Sequence, residues 1–202
     1  MRFRTLLLPL NDEHCLTRIS STLDRMDPQS RLWTVLSIDP EEQARVWELF
    51  ADSPISAEHF VPDGMDALNP VIHHGKNTLP VSKFFQKRFC RADDDSGDIW
   101  GYNHQSLAWL TGPGYFVAHA PDAEAKDVPS SYLIDYTRKP ARKPADWPEL
   151  ASNDAGVGRL VYGGMKDYMR KISEHVSIGR AYRHDRPMDS WFILCREDEA
   201  SG

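Results

Sequence analysis

The chain has little of what marks a secreted or membrane-spanning protein. Only three of its 202 residues are cysteine (Cys15, Cys90 and Cys195), widely spaced and with no CxxC pair. An odd number at such spacing excludes a disulfide framework and a zinc knuckle. The longest apolar run near the start, Leu6-Leu7-Leu8 before Pro9 and Leu10, is too short for a signal-peptide core or a membrane span. Positive charge is also scarce. Lys and Arg number 24 against 30 Asp and Glu, a net charge of −6, whereas general nucleic-acid binding leaves a basic footprint. The expectation is a cytoplasmic protein with no nucleic-acid or membrane partner. Aromatic residues are thin in the first 80 positions, which hold five of the 21 (Phe3, Trp33, Trp47, Phe50 and Phe60). The other sixteen follow, so the two parts are built differently and an organic ligand is expected in the second.

The aromatic-poor part reads as helical. Leu16, Ile19, Leu23 and Met26 recur at spacings of three and four across residues 13–26, an amphipathic helix. Residues 39–51 carry the clearest helix signal. Asp39 caps it, Pro40 takes the first helical position and Glu42 completes a capping box. Four prolines and two glycines in residues 52–80 predict an extended connector, with one short strand near Val71–His73.

After Pro80 the period changes to two. Phe84–Arg91 reads as a strand with Phe85 and Phe89 on one face, followed by an acidic turn over residues 92–98. Trp100, Tyr102, His104, Ser106, Ala108 and Leu110 alternate along the strongest strand signal, and Thr111-Gly112-Pro113-Gly114 then turns into Tyr115–Ala120. Tyr132–Tyr136, Gly158–Tyr162, Val176–Tyr182 and Trp191–Arg196 read as further strands. A short helix is expected at Lys166–Ile172, and Arg138–Pro148, with three prolines and four basic residues, as a loop. The fold class is mainly β with N-terminal helices. Residues 1–62 form a helical segment packed on an antiparallel barrel of about seven to nine strands over residues 63–202, within one domain. Closure removes unpaired strand edges.

The stretch Gly158–Glu197, GRLVYGGMKDYMRKISEHVSIGRAYRHDRPMDSWFILCRE, runs through a strand ending in Gly-x-Ala, a polar turn and an aromatic strand ending in Arg. Over these forty residues it resembles the closing part of lipocalin-like (calycin) barrels, and distantly that of bacterial GXWXG-associated barrel domains. The GXWXG motif itself is replaced by His74-Gly75-Lys76-Asn77, which lacks the tryptophan. The resemblance implies a cavity for a small, mostly apolar molecule.

Other motifs fail on spacing. Gly75-Lys76-Asn77-Thr78 has no glycine five residues before it, and Asn77 stands where a phosphate loop needs Ser or Thr. Val161 occupies the third glycine position of a dinucleotide fingerprint begun at Gly156. Asp93, Asp95 and Asp98 suggest a calcium loop, but its twelfth position is His104 rather than glutamate. No cofactor or metal is expected.

The candidate chemistry lies on the aromatic strands. His104 shares a face with Trp100 and Tyr102. If that face points inward, an imidazole and a phenol meet in an aromatic pocket, a pair suited to acid–base work. His119 on the next strand is a third catalytic candidate, and with Asp135 or Glu174 an incomplete metal set. His73 and His74 must point to opposite faces. Asp135 pairs with Arg180 or Arg88, or else Arg180 holds a ligand carboxylate. Trp100, Arg88, Phe85, Tyr136, Arg180, Tyr182 and Trp191 are the expected ligand-binding residues. The leading function is binding of a small apolar or aromatic organic ligand, with cofactor-independent isomerase, cyclase or lyase chemistry as its catalytic form. A carrier without catalysis is the alternative. Assembly through the helices, as in a homodimer, is a third reading.

Overall fold

A computed structural model describes residues 1–8, 14–80, 83–94, 96–104, 112–122, 128–150 and 161–198. Five helices come first: α1 (Phe3–Leu6), α2 (Cys15–Asp24), α3 (Pro28–Leu36), α4 (Pro40–Leu49) and α5 (Ala57–Phe60). Eight strands follow: β1 (Val71–Asn77), β2 (Phe84–Arg91), β3 (Ile99–His104), β4 (Tyr115–His119), β5 (Tyr132–Asp135), β6 (Met165–Lys171), β7 (Val176–Arg183) and β8 (Arg186–Arg196). Each strand pairs antiparallel with the next, and β8 pairs back to β1, so the sheet is a closed barrel in sequence order.

Because facing residues of an antiparallel ladder share a side of the sheet, the register assigns every strand residue to the lumen or the outside. Phe89 faces Gly101, Gly101 faces Phe116, Ile134 faces Asp167, and Gly179 faces Phe192. These line the lumen with Met169, Leu194 and Tyr132. Three glycines inside the strands make the lumen possible. A Cβ on Gly75, Gly101 or Gly179 would lie 2.5, 2.4 or 2.2 Å from the ring of Phe85, Phe116 or Phe192, its neighbour across the ladder. The far end of each ring covers bare backbone, as aromatic residues do when they cover glycine in a curved sheet.

The helices cover the outside of β6–β8. Ile19 and Leu23 of α2, Val35 of α3, and Val46 and Trp47 of α4 pack with Tyr168, Ile178, Ile193 and Cys195. Asp39 accepts from the Glu42 backbone N–H, and the Glu42 carboxylate accepts from the Asp39 N–H, completing the expected capping box. Arg170 on β6 stacks its guanidinium 3.6 Å from the centre of the Trp47 ring and donates to the Pro129 carbonyl, clamping α4 to the wall.

The expected short helix at Lys166–Ile172 is a strand. Its apolar residues Met165, Tyr168, Met169 and Ile172 have helical spacing because β6 is buried on both sides: Met169 faces the lumen and Tyr168 faces the helices. A strand covered on both faces loses its alternation. Residues 161–162 of the expected strand Gly158–Tyr162 are helical; 158–160, and Ser106, Ala108 and Leu110 of the longer β3 expected above, lie outside the described residues. α3 carries no sequence expectation, although Asp27 accepts from the Ser30 N–H ahead of Pro28 at the first helical position.

Candidate functional site at the barrel mouth

One end of the barrel is plugged. α5 inserts Phe60, which stacks on Tyr132 at 5.4 Å and packs on Phe89 at 5.0 Å. His73 donates from Nε2 to the Phe60 carbonyl at 2.9 Å, and its ring lies 6.2 Å from that of His59. Both histidines are buried, and both are held neutral chiefly by burial, His73 down at about 3.

The other end opens into a cavity of about 260 Å³. Its walls come mainly from Phe85 on β2, Met165 on β6, Ala181 on β7 and Phe192 on β8, with Leu79, Val161 and Met188 at the rim and the polar Asn77, Arg183 and Ser190 among them. Tyr162 stacks on Tyr136 at 5.3 Å and brings a second phenol to the cavity.

Four buried polar side chains form the floor. Lys87 on β2 donates from Nζ to Asn103 Oδ1 at 2.9 Å, to Asp167 Oδ2 at 3.2 Å and to the Tyr136 hydroxyl. Tyr136 donates to Asp167 Oδ2 at 3.2 Å and accepts from Asn103 Nδ2 at 3.0 Å. All three donor positions of the ammonium are therefore used. Asp167 keeps one oxygen, Oδ1, to which no described residue donates. The rings of Phe85, Phe116, Tyr136 and Phe192 surround Lys87 Nζ, with centres 4.9 to 5.7 Å away. Three of these are the rings seated on the strand glycines.

Burial pushes Lys87 below the ordinary lysine range, and the Asp167 charge opposes the shift. Burial likewise raises Asp167, with Lys87 opposing. Burial first, and then the Asp167 charge, hold the Tyr136 phenol well above its usual value. The ionic and neutral forms of the Lys87–Asp167 pair are thereby drawn together in energy, and the surrounding π faces favour the cation. A network of this kind can give a proton to a ligand or take one from it.

Of the residues singled out from the sequence, Phe85 and Tyr136 line this cavity. The register turns the others outward. Trp100 and Tyr102 pack beneath Trp147, with the Tyr102 and Trp147 ring centres 4.8 Å apart. His104 is exposed beside Tyr102, and burial and Arg88 depress its imidazole. Arg88 is also outside and donates to Gln86 Oε1 at 3.1 Å. His119 donates from Nδ1 to the Ala120 carbonyl, and its Nε2 lies 3.8 Å from Asp135. Arg180 sits on the outer wall between the Tyr182 and Trp191 rings, 5.9 and 5.1 Å from their centres, and donates to the Met188 carbonyl. The aromatic pocket expected around His104, Tyr102 and His119 is thus an outer layer under a loop, because the odd-numbered residues of β3 take the lumen. Asp135 is bonded to Thr137 and faces His119; neither Arg180 nor Arg88 reaches it.

The remaining candidates resolve locally. His73 and His74 point to opposite sides, His74 meeting Glu197 at 2.5 Å outside. Arg138 and Arg142 of the basic loop pair with Asp98 and Asp93 of the acidic turn at 3.7 and 3.2 Å. All three cysteines are free and buried, and burial pushes Cys90 and Cys195 up to about 12 and about 11, so neither is a reactive thiolate. Among the described residues no group of three or more His, Cys, Asp or Glu could hold a metal, and no helix is long and apolar enough to cross a membrane.

Lys87, Asn103 and Asp167 are absent from the sequence-based set. Each is a polar residue whose strand neighbours two positions away face the lumen (Phe85 and Phe89, Gly101, Met165 and Met169), and that period was the available signal. No family model, curated protein or solved structure matches the chain.

Proposed function

We propose that the barrel binds a small, largely apolar or aromatic molecule at its mouth, with one polar group on the floor formed by Lys87, Tyr136, Asn103 and Asp167. The observation that carries this is the combination of a cavity with mostly apolar walls and a buried, hydrogen-bonded polar floor, the usual anatomy of a small-molecule site. A volume near 260 Å³ suits a single ring or a short branched chain. Such a ligand buries roughly 200 Å² of apolar surface, worth about 5 kcal/mol before association costs, which points to a Kd no tighter than about 0.2 mM. Use of the lumen in the manner of lipocalin-like barrels belongs to this reading. So does its catalytic form, an isomerase, cyclase or lyase working without a cofactor, because the floor juxtaposes the ammonium, carboxylate and phenol that general acid–base catalysis uses.

Titration with benzyl alcohol, followed by amide NMR, tests the site. Shifts should concentrate at Lys87, Asp167, Ala181 and Phe192. Met188→Trp, which fills the mouth from its rim, should weaken binding at least tenfold without changing the circular dichroism spectrum. Shifts confined to the outer wall near Trp100 and Trp147, or none at all, would refute the assignment.

A further inference from the structure

Taking the mouth cavity as the binding site, we propose that Lys87 captures a small aldehyde or ketone there as a Schiff base, with Asp167 carrying the protons. Three observations converge. Among the described residues, Lys87 Nζ is the one amine at the floor of a cavity whose walls are otherwise mostly apolar. Asp167 Oδ2 is 3.2 Å away, close enough to accept a proton from the ammonium and return it. The Tyr136 hydroxyl is bonded to both, and once Asp167 is protonated its own proton is released from that carboxylate to donate to a carbonyl oxygen beside it. Burial acts on the lysine in the same sense, favouring the uncharged amine that carries the lone pair.

The proton balance closes within the pair. Lys87 passes one proton to Asp167, and the freed nitrogen lone pair attacks the carbonyl carbon, so a C–N bond forms as the C=O π bond breaks. The oxygen takes the proton from Asp167, and the nitrogen returns one to the carboxylate, giving a neutral carbinolamine. Asp167 then protonates the hydroxyl, which leaves as water while the nitrogen lone pair forms C=N. The product is a protonated imine facing an ionised Asp167, and only water is released. That product is again a cation, placed among the four rings that surround the resting ammonium. Neither an oxidant nor a metal is consumed. The class of ligand follows: a carbonyl compound of about single-ring size.

The experiment uses the full chain with benzaldehyde and sodium cyanoborohydride at about pH 6.5, where surface lysines are almost wholly protonated. Peptide mass spectrometry then reads benzylation at each lysine. Lys87 should be labelled at least tenfold faster than any other lysine, and excess benzyl alcohol, which carries no carbonyl, should protect it. Labelling of Lys87 no faster than that of surface lysines, with benzyl alcohol still bound at the mouth by NMR, overturns the covalent step and leaves the binding site standing. Absence of benzyl alcohol from the cavity overturns both.

Discussion

Replacing His73 with glutamine should make this protein less sensitive to acid. His73 is fully buried at the plugged end, where its single hydrogen bond goes to the Phe60 carbonyl and Nδ1 has no partner among the described residues. The Phe89 ring meets it edge-on at 4.8 Å, and Arg196, His59, His74 and His175 are the charged or titratable groups around it. Burial therefore holds its folded value at about 3, against about 6.5 in an unfolded chain. As the pH falls, the unfolded chain takes the proton first. His73 leaves stability untouched above about pH 6.5 and erodes it progressively down to about pH 3, where the loss levels off. At pH 4.5 the two-unit gap is worth about 2.7 kcal/mol. His59, depressed by the same burial, adds a loss of the same sign. Urea unfolding of both proteins at pH 7.5 and pH 4.5 measures the effect. His73→Gln starts from lower stability, since it gives up the ring contact with Phe89, but it should lose about 2.7 kcal/mol less than the wild type on acidification. Carboxylates titrate in both proteins and cancel in that difference. Equal losses, or a His73 ring proton that titrates near pH 6.5 in NMR spectra of the folded protein, would refute the reasoning.

Two further outcomes test the lumen. Lys87→Met leaves the Asp167 charge buried without its cation and should cost about 3–5 kcal/mol in urea unfolding, whereas Lys87→Met combined with Asp167→Asn should cost clearly less than the sum of the single changes; strict additivity would show that the pair does not interact. Gly101→Ala sets a methyl 2.4 Å from the Phe116 ring and 2.6 Å from the Arg88 carbonyl oxygen, and because the backbone atom cannot swing aside, thermal unfolding should show a loss of about 1–3 kcal/mol.

Closure of the barrel also bears on the reading of the helices. Their apolar faces are spent on the outside of β6–β8, through Ile19, Leu23, Val46 and Trp47. Trp33 on α3 remains largely exposed, at 69%. Covering that wall explains why β7 and β8 are apolar on both sides, and why Arg180, Tyr182 and Trp191, which looked like lumen residues, sit at the edge of the helical layer.

Local chemistry determined much of this protein from sequence alone. The α4 capping box, the alternation in β2, the opposed His73 and His74, and the acidic and basic loops all depend on neighbours a few residues apart. Which face of a strand is inside was beyond that reach. Alternation fixes which residues travel together, and a shift of one position exchanges lumen for surface. In β3 both faces are buried, one by the barrel and one by the Trp147 loop, so aromatic content marked the outer face, while the lumen took Ile99, Gly101 and Asn103. Three glycines, empty positions when read along the chain, became the seats of three rings once β1 met β2, β3 met β4 and β7 met β8. The floor exists only through tertiary structure: Lys87, Asn103, Tyr136 and Asp167 come from four places spread over 80 residues, and closure of the sheet brings their polar atoms within hydrogen-bonding distance.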